Sequence, residues 1–435
     1  MSFQTFAFHP SVVAGITAAG YATPTPIQSQ TIPPIIAGKD VMGLAQTGTG
    51  KTAAFALPIL HRLMTGERGK VRALIVAPTR ELAEQIHQSI QVLAGNTRLR
   101  GVTVYGGVKI NPQVEKIRRG AEIVVACPGR LLDHISQGTI NLSNLEFLVL
   151  DEADQMFDMG FLPDIRRLLR HVPAKRQTLL FSATMPADIR KLASEILTDP
   201  VTAQAGSPGT AVTVSHALYP VAQHLKTPLL LEMMRRTDTG SVLVFTRTKH
   251  RAKRVGEQLE KAGFRAASLQ GNLSQNRRQA ALDGFRDGTF QILVATDIAA
   301  RGIDVSQVSH VINYDMPDTA EAYTHRIGRT GRAARTGDAY TMSTSDDAVM
   351  IRTIERLLKA PLERRTIEGF DYSAPAPQQD VEFARPPRAA RPARKPAAKN
   401  QSAAGASRPA KGRQRNANGV SKSTAAPMKN SRQSR

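Results

Sequence analysis

The chain has 435 residues and sets 58 Lys plus Arg against 36 Asp plus Glu, a formal net charge of +22. No apolar run approaches the roughly 18 residues needed to cross a bilayer, and the start MSFQTFAFHP lacks the basic-then-apolar layout of a secretory leader. A lone cysteine, Cys127, excludes internal disulfides and thiolate-rich metal sites, so a cytoplasmic protein with a polyanionic partner and no membrane attachment is expected.

In chain order, short β-branched runs at 41–45, 73–77, 123–127, 147–151 and 178–182 read as buried strands. A second series follows at 241–246, 291–296, 310–314 and 339–343, and amphipathic stretches such as 81–93 and 249–262 read as intervening helices. Apolar strands alternating with helices predict an α/β fold with parallel sheets covered on both faces, and the pattern occurs twice. The small-residue segment 204–211, with Pro208 and two glycines, reads as a linker. Residues 1–203 are therefore expected to form one domain, 204–212 the connection and 213–368 a second domain. Bulky apolar residues almost vanish after Phe370, which predicts a disordered tail over 369–435. Residues 385–435 hold 14 Lys plus Arg and no acid, and subtracting those 14 from 22 leaves +8 on residues 1–384.

The first chemical signal follows the strand at 41–45. Ala45-Gln46-Thr47-Gly48-Thr49-Gly50-Lys51-Thr52 matches a phosphate-binding loop, with Ala45 in place of its first glycine, and opens a helix expected over 52–64. Gly48 and Gly50 let the backbone curl so that successive N–H groups face a phosphate, and the helix N-terminus adds its own donors. Lys51 should then reach the β/γ-phosphates of a nucleotide, with the Thr52 hydroxyl helping to hold Mg²⁺. The strand at 147–151 ends in Asp151-Glu152-Ala153-Asp154. Asp151 is placed to hold Mg²⁺ mainly through water, and Glu152 to aim the attacking water.

With these residues in place, the chain resembles the DEAD-box ATP-dependent RNA helicases, and its short start and basic end resemble the bacterial RhlE-type subgroup. The resemblance implies two tandem RecA-like parallel-sheet domains with ATP and Mg²⁺ as ligands. Gly20-Tyr21-Ala22-Thr23-Pro24-Thr25-Pro26-Ile27-Gln28, with Phe3 upstream, resembles the motif that reads adenine. Pro78-Thr79-Arg80-Glu81-Leu82, Gly106-Gly107 and Cys127-Pro128-Gly129-Arg130 resemble contacts to the RNA sugar-phosphate backbone. Ser182-Ala183-Thr184 resembles the motif that couples hydrolysis to strand separation, with Asp154 as its partner. In the second half, Thr246, Gly271, Arg278 and Thr296 stand at positions that would touch RNA, and Asp304 at one that would touch the ribose. Tyr323-Thr324-His325-Arg326-Ile327-Gly328-Arg329-Thr330-Gly331-Arg332 closes the series. There the resemblance implies arginine fingers at Arg329 and Arg332 and interdomain coupling through His325 and Arg326.

Thr, Arg, Gly, Pro and Gln at the RNA positions suit phosphate and sugar contacts, so recognition should be largely independent of sequence. The basic tail should add RNA affinity. Two positions depart from the family pattern. Cys127 stands where Thr is common, its thiol a weaker donor but its backbone N–H retained, and Gln155 stands where bacterial relatives often have Arg. The nearby Asp158-Met159-Gly160-Phe161 reads as structural. An ATP-gated RNA clamp with little turnover and a DNA-directed helicase remain alternatives at this point.

Overall fold

The computed structural model describes residues 2–46, 48–205, 214–236, 240–300, 308–331 and 337–376. Seven strands build a first sheet: β1 (Val41–Leu44), β2 (Ala73–Val76), β3 (Gly101–Val104), β4 (Ile123–Ala126), β5 (Phe147–Leu150), β6 (Gln177–Ser182) and β7 (Val201–Gln204). Seven more build a second: β8 (Val214–Pro220), β9 (Val242–Phe245), β10 (Ala266–Leu269), β11 (Ile292–Ala295), β12 (His310–Asn313), β13 (Gly337–Ser343) and β14 (Glu363–Arg364). The orders are β3-β4-β2-β5-β6-β1-β7 and β10-β11-β9-β12-β13-β8-β14. Counted from its own first strand, each sheet has the same order, and every pairing is parallel. These are two tandem RecA-like sheets.

The reason for the parallel arrangement is visible in the strands. Ala73 and Ile75 of β2 point into one apolar cluster, with Phe55, Ile86 and Phe181. Leu74 and Val76 point into a second, with Leu131, Leu148 and Leu192. A strand apolar on both faces needs helices on both faces, and the right-handed crossovers of a parallel sheet supply them.

Parallel strands also bring all their C-terminal ends to one rim, and the strand order divides that rim. In the first sheet, β3, β4 and β2 are adjacent and end at Gly106-Gly107, Cys127–Arg130 and Pro78–Leu82. The neighbouring β5, β6 and β1 end at Asp151–Asp154, Ser182–Thr184 and the glycine loop. The second sheet repeats the division: β10, β11 and β9 lead to Gly271, Thr296 and Thr246, whereas β12 leads to the helix Ala320–Ile327. Residues dispersed over the sequence thus gather into two halves, one holding those expected to touch nucleic acid and the other those expected to touch nucleotide.

Two sequence expectations change. The strands at 101–104, 201–204, 214–220 and 266–269 lie outside the expected series; each has a polar residue or glycine within its apolar run. The ordered chain also continues beyond 368: Phe370, Tyr372 and Ala374 pack on the second sheet's core, and the Phe370 and Tyr372 rings meet edge to face at 4.9 Å. Residues 369–376 therefore belong to the fold and not to the tail. Most of the expected linker and the 14-cation segment lie outside the described residues, as do Thr47, Asp304 and Arg332.

Candidate functional site

The glycine loop leaves β1 at Ala45, whose N–H donates to the Ser182 carbonyl (3.0 Å) and so ties the loop to the adjacent strand. Gly48 and Gly50 have φ of +82° and +92°, the left-handed region where a side chain would be strained. Thr49 Oγ1 donates to the Gln46 carbonyl (2.7 Å) and closes the loop on itself. The helix begins at Lys51, one residue earlier than expected, and Thr52 lies half-buried in its first turn. Lys51 is only 5% exposed, and its Nζ has no hydrogen-bond partner among the described residues. A buried ammonium without an acceptor is costly unless an anion completes it, so the loop fits a phosphate.

The carboxylates of β5 stand beside that ammonium. Asp151 is buried, and its Oδ1 accepts from the Glu152 N–H (3.0 Å). Its carboxyl is raised to about 6, chiefly by burial, with Lys51 pulling it down and the Glu152 charge pushing it up. Another cation at the carboxylate would remove that penalty. Asp151 with the Thr52 hydroxyl forms a hard-oxygen donor set that suits Mg²⁺. Glu152 is 2% exposed and held at φ +53°, ψ +53°. Such a conformation costs about 1–3 kcal/mol in a residue other than glycine and is characteristic of functional turns. It turns the chain from β5 into the helix Ala153–Asp158.

Asp154 links this turn to β6. Its Oδ2 accepts from the Thr184 N–H (2.8 Å), Thr184 Oγ1 (3.0 Å) and the Ala183 N–H (3.2 Å), while its own N–H donates to Ser182 Oγ (3.2 Å). A shift of either strand end is therefore transmitted to the other through four hydrogen bonds.

Upstream, Phe3 is buried and stacks on the exposed Tyr21, with centroids 6.3 Å apart and planes at 22°. Thr23 is exposed nearby in sequence. Gln28 is 4% exposed; its Oε1 accepts from the Thr25 N–H (2.9 Å) and its Nε2 donates to the Gly50 carbonyl (3.1 Å). In this structure its amide braces the phosphate loop.

Opposite the first sheet's nucleotide half stands the helix Ala320–Ile327. Gln46, Glu152, Asp154, Gln155 and Thr184 from the first sheet line a cavity of about 170 Å³ together with Glu321, Thr324, His325, Gly328 and Arg329 from the second. His325 thus lines one cavity with residues of the first sheet. Gln155 enters the same wall, its buried Oε1 without a hydrogen-bond partner among the described residues. Arg326 departs from its expected coupling role. Its Nε and Nη2 donate to Asp297 at 2.6 Å each, and its Nη1 to Asn313 Oδ1 (3.1 Å) and the Asp315 carbonyl (2.7 Å), all within its own sheet. It positions the arginine-bearing turn from behind.

The nucleic-acid halves line a cleft of about 840 Å³. Pro78, Thr79, Arg80, Gly129 and Arg130 contribute from the first sheet, and Gly271, Arg278 and Thr296 from the second. Gly129 and Gly271 have open space where a Cβ would stand, which leaves their backbone accessible. Gly107 has φ +80°, and a Cβ there would collide with the Arg80 guanidinium at 2.1 Å. Pro128 is buried at the start of the helix Pro128–Ser136, and Thr246 is fully buried, so these two stand behind the surface. Thr79 Oγ1 accepts from the Leu82 N–H (3.2 Å) and caps the helix Arg80–Ala94.

Three findings here were not legible in sequence. Glu81, 5% exposed, accepts from Arg278 Nε (2.8 Å) and Gln275 Nε2 (3.3 Å) across the cleft, so Arg278 is engaged by the opposite sheet. The Cys127 N–H donates to the Val104 carbonyl (2.9 Å), so it is not available to a phosphate, and burial pushes the thiol up to about 12. Met159 and Phe161, read from sequence as structural, line the cleft. Only a non-local pairing signal could have found the first, since Glu81 and Arg278 lie 197 positions apart.

Residues 25–192 match the family model described as DEAD/DEAH box helicase, and residues 225–334 match the helicase conserved C-terminal domain. The DEAD-box ATP-dependent RNA helicase CshA of Bacillus subtilis is 40% identical over 380 residues, which cover 87% of this chain and 77% of that protein. CshA of Geobacillus kaustophilus is 42% identical over 379 residues, covering 87% and 81%. Among solved structures, S. cerevisiae Dbp5 bound to RNA and ADP BeF3 superposes with a TM-score of 0.75 at 30% identity, covering 84% of this chain and 95% of that one. A DEAD box protein from the hyperthermophile Methanococcus jannaschii gives 0.50 at 36% identity, covering 84% and 99%.

Proposed function

Because the chain belongs to the DEAD-box ATP-dependent RNA helicases, we propose that it closes two lobes around ATP and RNA, and that this closure separates short RNA duplexes or remodels RNA–protein complexes. The observation that carries this reading is the shared cavity, where Glu152 of one sheet and Arg329 of the other line the same small space.

Each residue then has a defined task. The Gly48–Gly50 turn and the Lys51 ammonium hold the phosphates, and Phe3, Tyr21, Thr23 and Gln28 place the base. Thr52 and Asp151 would hold Mg²⁺, Asp151 through water, and the bound ion would supply positive charge to the nucleotide phosphates. Glu152 orients the attacking water. Arg329, with Arg332 beyond the described residues, meets the charge developing on the γ-phosphoryl, and Asp304 takes the ribose. Asp154 passes the change to Ser182 and Thr184. Along the cleft, Arg80, Arg130 and Thr296 grip phosphates, and the exposed backbone at Gly129 and Gly271 admits the strand closely. Glycine backbones and guanidinium groups read the sugar-phosphate chain and not the bases.

No helix among the described residues is long and apolar enough to cross a membrane. We place the protein in the cytoplasm, in the RhlE-type subgroup, with its cationic end as an added RNA tether.

Strand displacement tests the reading. With ATP, the protein is expected to release one strand of a short RNA duplex, and a matched DNA duplex is expected to be a poorer substrate. ATP-dependent RNA retention without strand release would favour the clamp instead.

A further inference from the structure

A second cationic surface lies on the first sheet's outer edge, away from both shared cavities. A groove of about 610 Å³ runs beside β3, lined by Arg98, Arg100, Lys116, Arg119, Gly101 and Thr103 among others, with no carboxylate in its lining. The four cations come from the turn after the helix Arg80–Ala94, from the start of β3 and from the end of the helix Asn111–Arg118. All four are exposed. Arg100 Nη1 is held by the Arg119 carbonyl (2.9 Å), whereas the side chains of Arg98, Lys116 and Arg119 have no hydrogen bond or ion pair among the described residues.

Two neighbouring carboxylates are engaged elsewhere. Glu122 accepts from the Gly69 N–H (2.7 Å) and the Arg100 N–H (2.8 Å), and Glu84 accepts from Thr103 Oγ1 (2.9 Å). Glu115 is exposed on the same helix as Lys116 but outside the groove lining. Arg98 stands at φ +58°, a conformation in which glycine or asparagine would be less strained. Cations left without counter-ions around one concave surface attract a polyanion, since each one neutralised releases bound counter-ions from it.

We propose that this groove binds the phosphate backbone of RNA that extends beyond the interlobe cleft. β3 runs between the two places: Arg100, just before its start, lines the groove, and Gly106, two residues past its end at Val104, lines the cleft. Six residues of extended chain span at most about 20 Å, so one RNA of several nucleotides can engage both surfaces. The large apolar groups of the lining, Leu99 and Val102, are buried, so the groove offers no exposed hydrophobic anchor of the kind protein partners use. The groove would hold flanking RNA without reading its sequence and would raise the local concentration of structured RNA at the cleft.

The choice of RNA as the polyanion rests on the function proposed above, and two substrates separate the two ideas. The test is the full chain carrying Arg98→Gln, Lys116→Gln and Arg119→Gln, with binding measured across a salt series. For RNA long enough to reach past the cleft, affinity is expected to fall roughly 10- to 100-fold at low salt, and the log–log salt slope to become shallower by about 2–3. For a short single strand that fills only the cleft, affinity and stimulated ATP turnover are expected to match the unmodified protein. Unchanged affinity and slope on long RNA, with an unchanged melting temperature, would overturn the groove proposal, as would capture of an acidic protein with RNA binding intact. Failure of the unmodified protein to bind either RNA would instead overturn the functional reading.

Discussion

Glu152→Gln is expected to lower RNA-stimulated ATP turnover by about 10²–10⁴-fold, the range set by a positioned acid–base group. The amide keeps the size of the carboxylate but cannot draw charge from a bound water in the same way. Glu152 sits at a left-handed turn with 2% exposure, so an isosteric change preserves the packing that holds the turn. ATP and RNA affinities should therefore be retained, and the protein should accumulate closed on both ligands. Lys51→Ala gives the opposite pattern. Removing a buried ammonium that faces the phosphate loop should weaken nucleotide binding itself, with turnover lost because the site is empty. Single-turnover hydrolysis and nucleotide titration separate the two outcomes. A Glu152→Gln protein that hydrolyses ATP at the normal rate would place the water-orienting group elsewhere.

Arg329→Ala is expected to cost about 10³–10⁵ in kcat, or roughly 4–7 kcal/mol of transition-state stabilisation, with a much smaller change in the affinity for ATP. Arg329 lies on the second sheet's helix turn, whereas Lys51, Thr52, Asp151 and Glu152 lie on the first. A loss confined to kcat would mean that the second lobe meets charge that develops only in the transition state. Arg329→Lys is the informative companion, because it keeps the charge but not the fork and should recover little. A change in ATP affinity as large as the change in kcat would assign Arg329 to ground-state binding instead. Its positioning depends on Arg326, whose guanidinium is fixed by Asp297, Asn313 and the Asp315 carbonyl.

The β-branched runs at 73–77, 123–127 and 147–151 announced a parallel sheet because strands buried on both faces have few alternatives in composition. The segment at 266–269 did not, since Ala-Ala-Ser-Leu has no β-branched residue, and at 101–104 the run Val102-Thr103-Val104 is only three residues long and is interrupted by a polar side chain. Motif chemistry behaved similarly. The turn at Gly48 and Gly50 was readable because the positive φ it needs is a local backbone property that favours glycine. Glu81 was not readable as a bridge, because its partners Gln275 and Arg278 approach only when the two sheets face each other. The availability of the Cys127 N–H was misjudged for the same reason, since its acceptor is the Val104 carbonyl of the neighbouring strand. Arg326 shows the limit of transfer by motif. The position matched, but the guanidinium is engaged within its own lobe.

The Glu81–Arg278 pair also bears on regulation by RNA. Both side chains are nearly buried, and leaving one such charge without its partner costs about 3–5 kcal/mol, so the pair favours the closed arrangement only when it forms completely. On the proposed function, RNA seated in the same cleft is expected to hold the two walls together and so to keep Arg329 near Glu152 in their shared cavity. The most direct measurement is steady-state ATP turnover as a function of RNA concentration, with ATP saturating. A saturable rise from a low basal rate is the expected result if, as proposed, the hydrolytic centre is divided between lobes that RNA bridges. Turnover that stays flat across the titration, while RNA demonstrably binds, would contradict a catalytic centre assembled by closure on RNA.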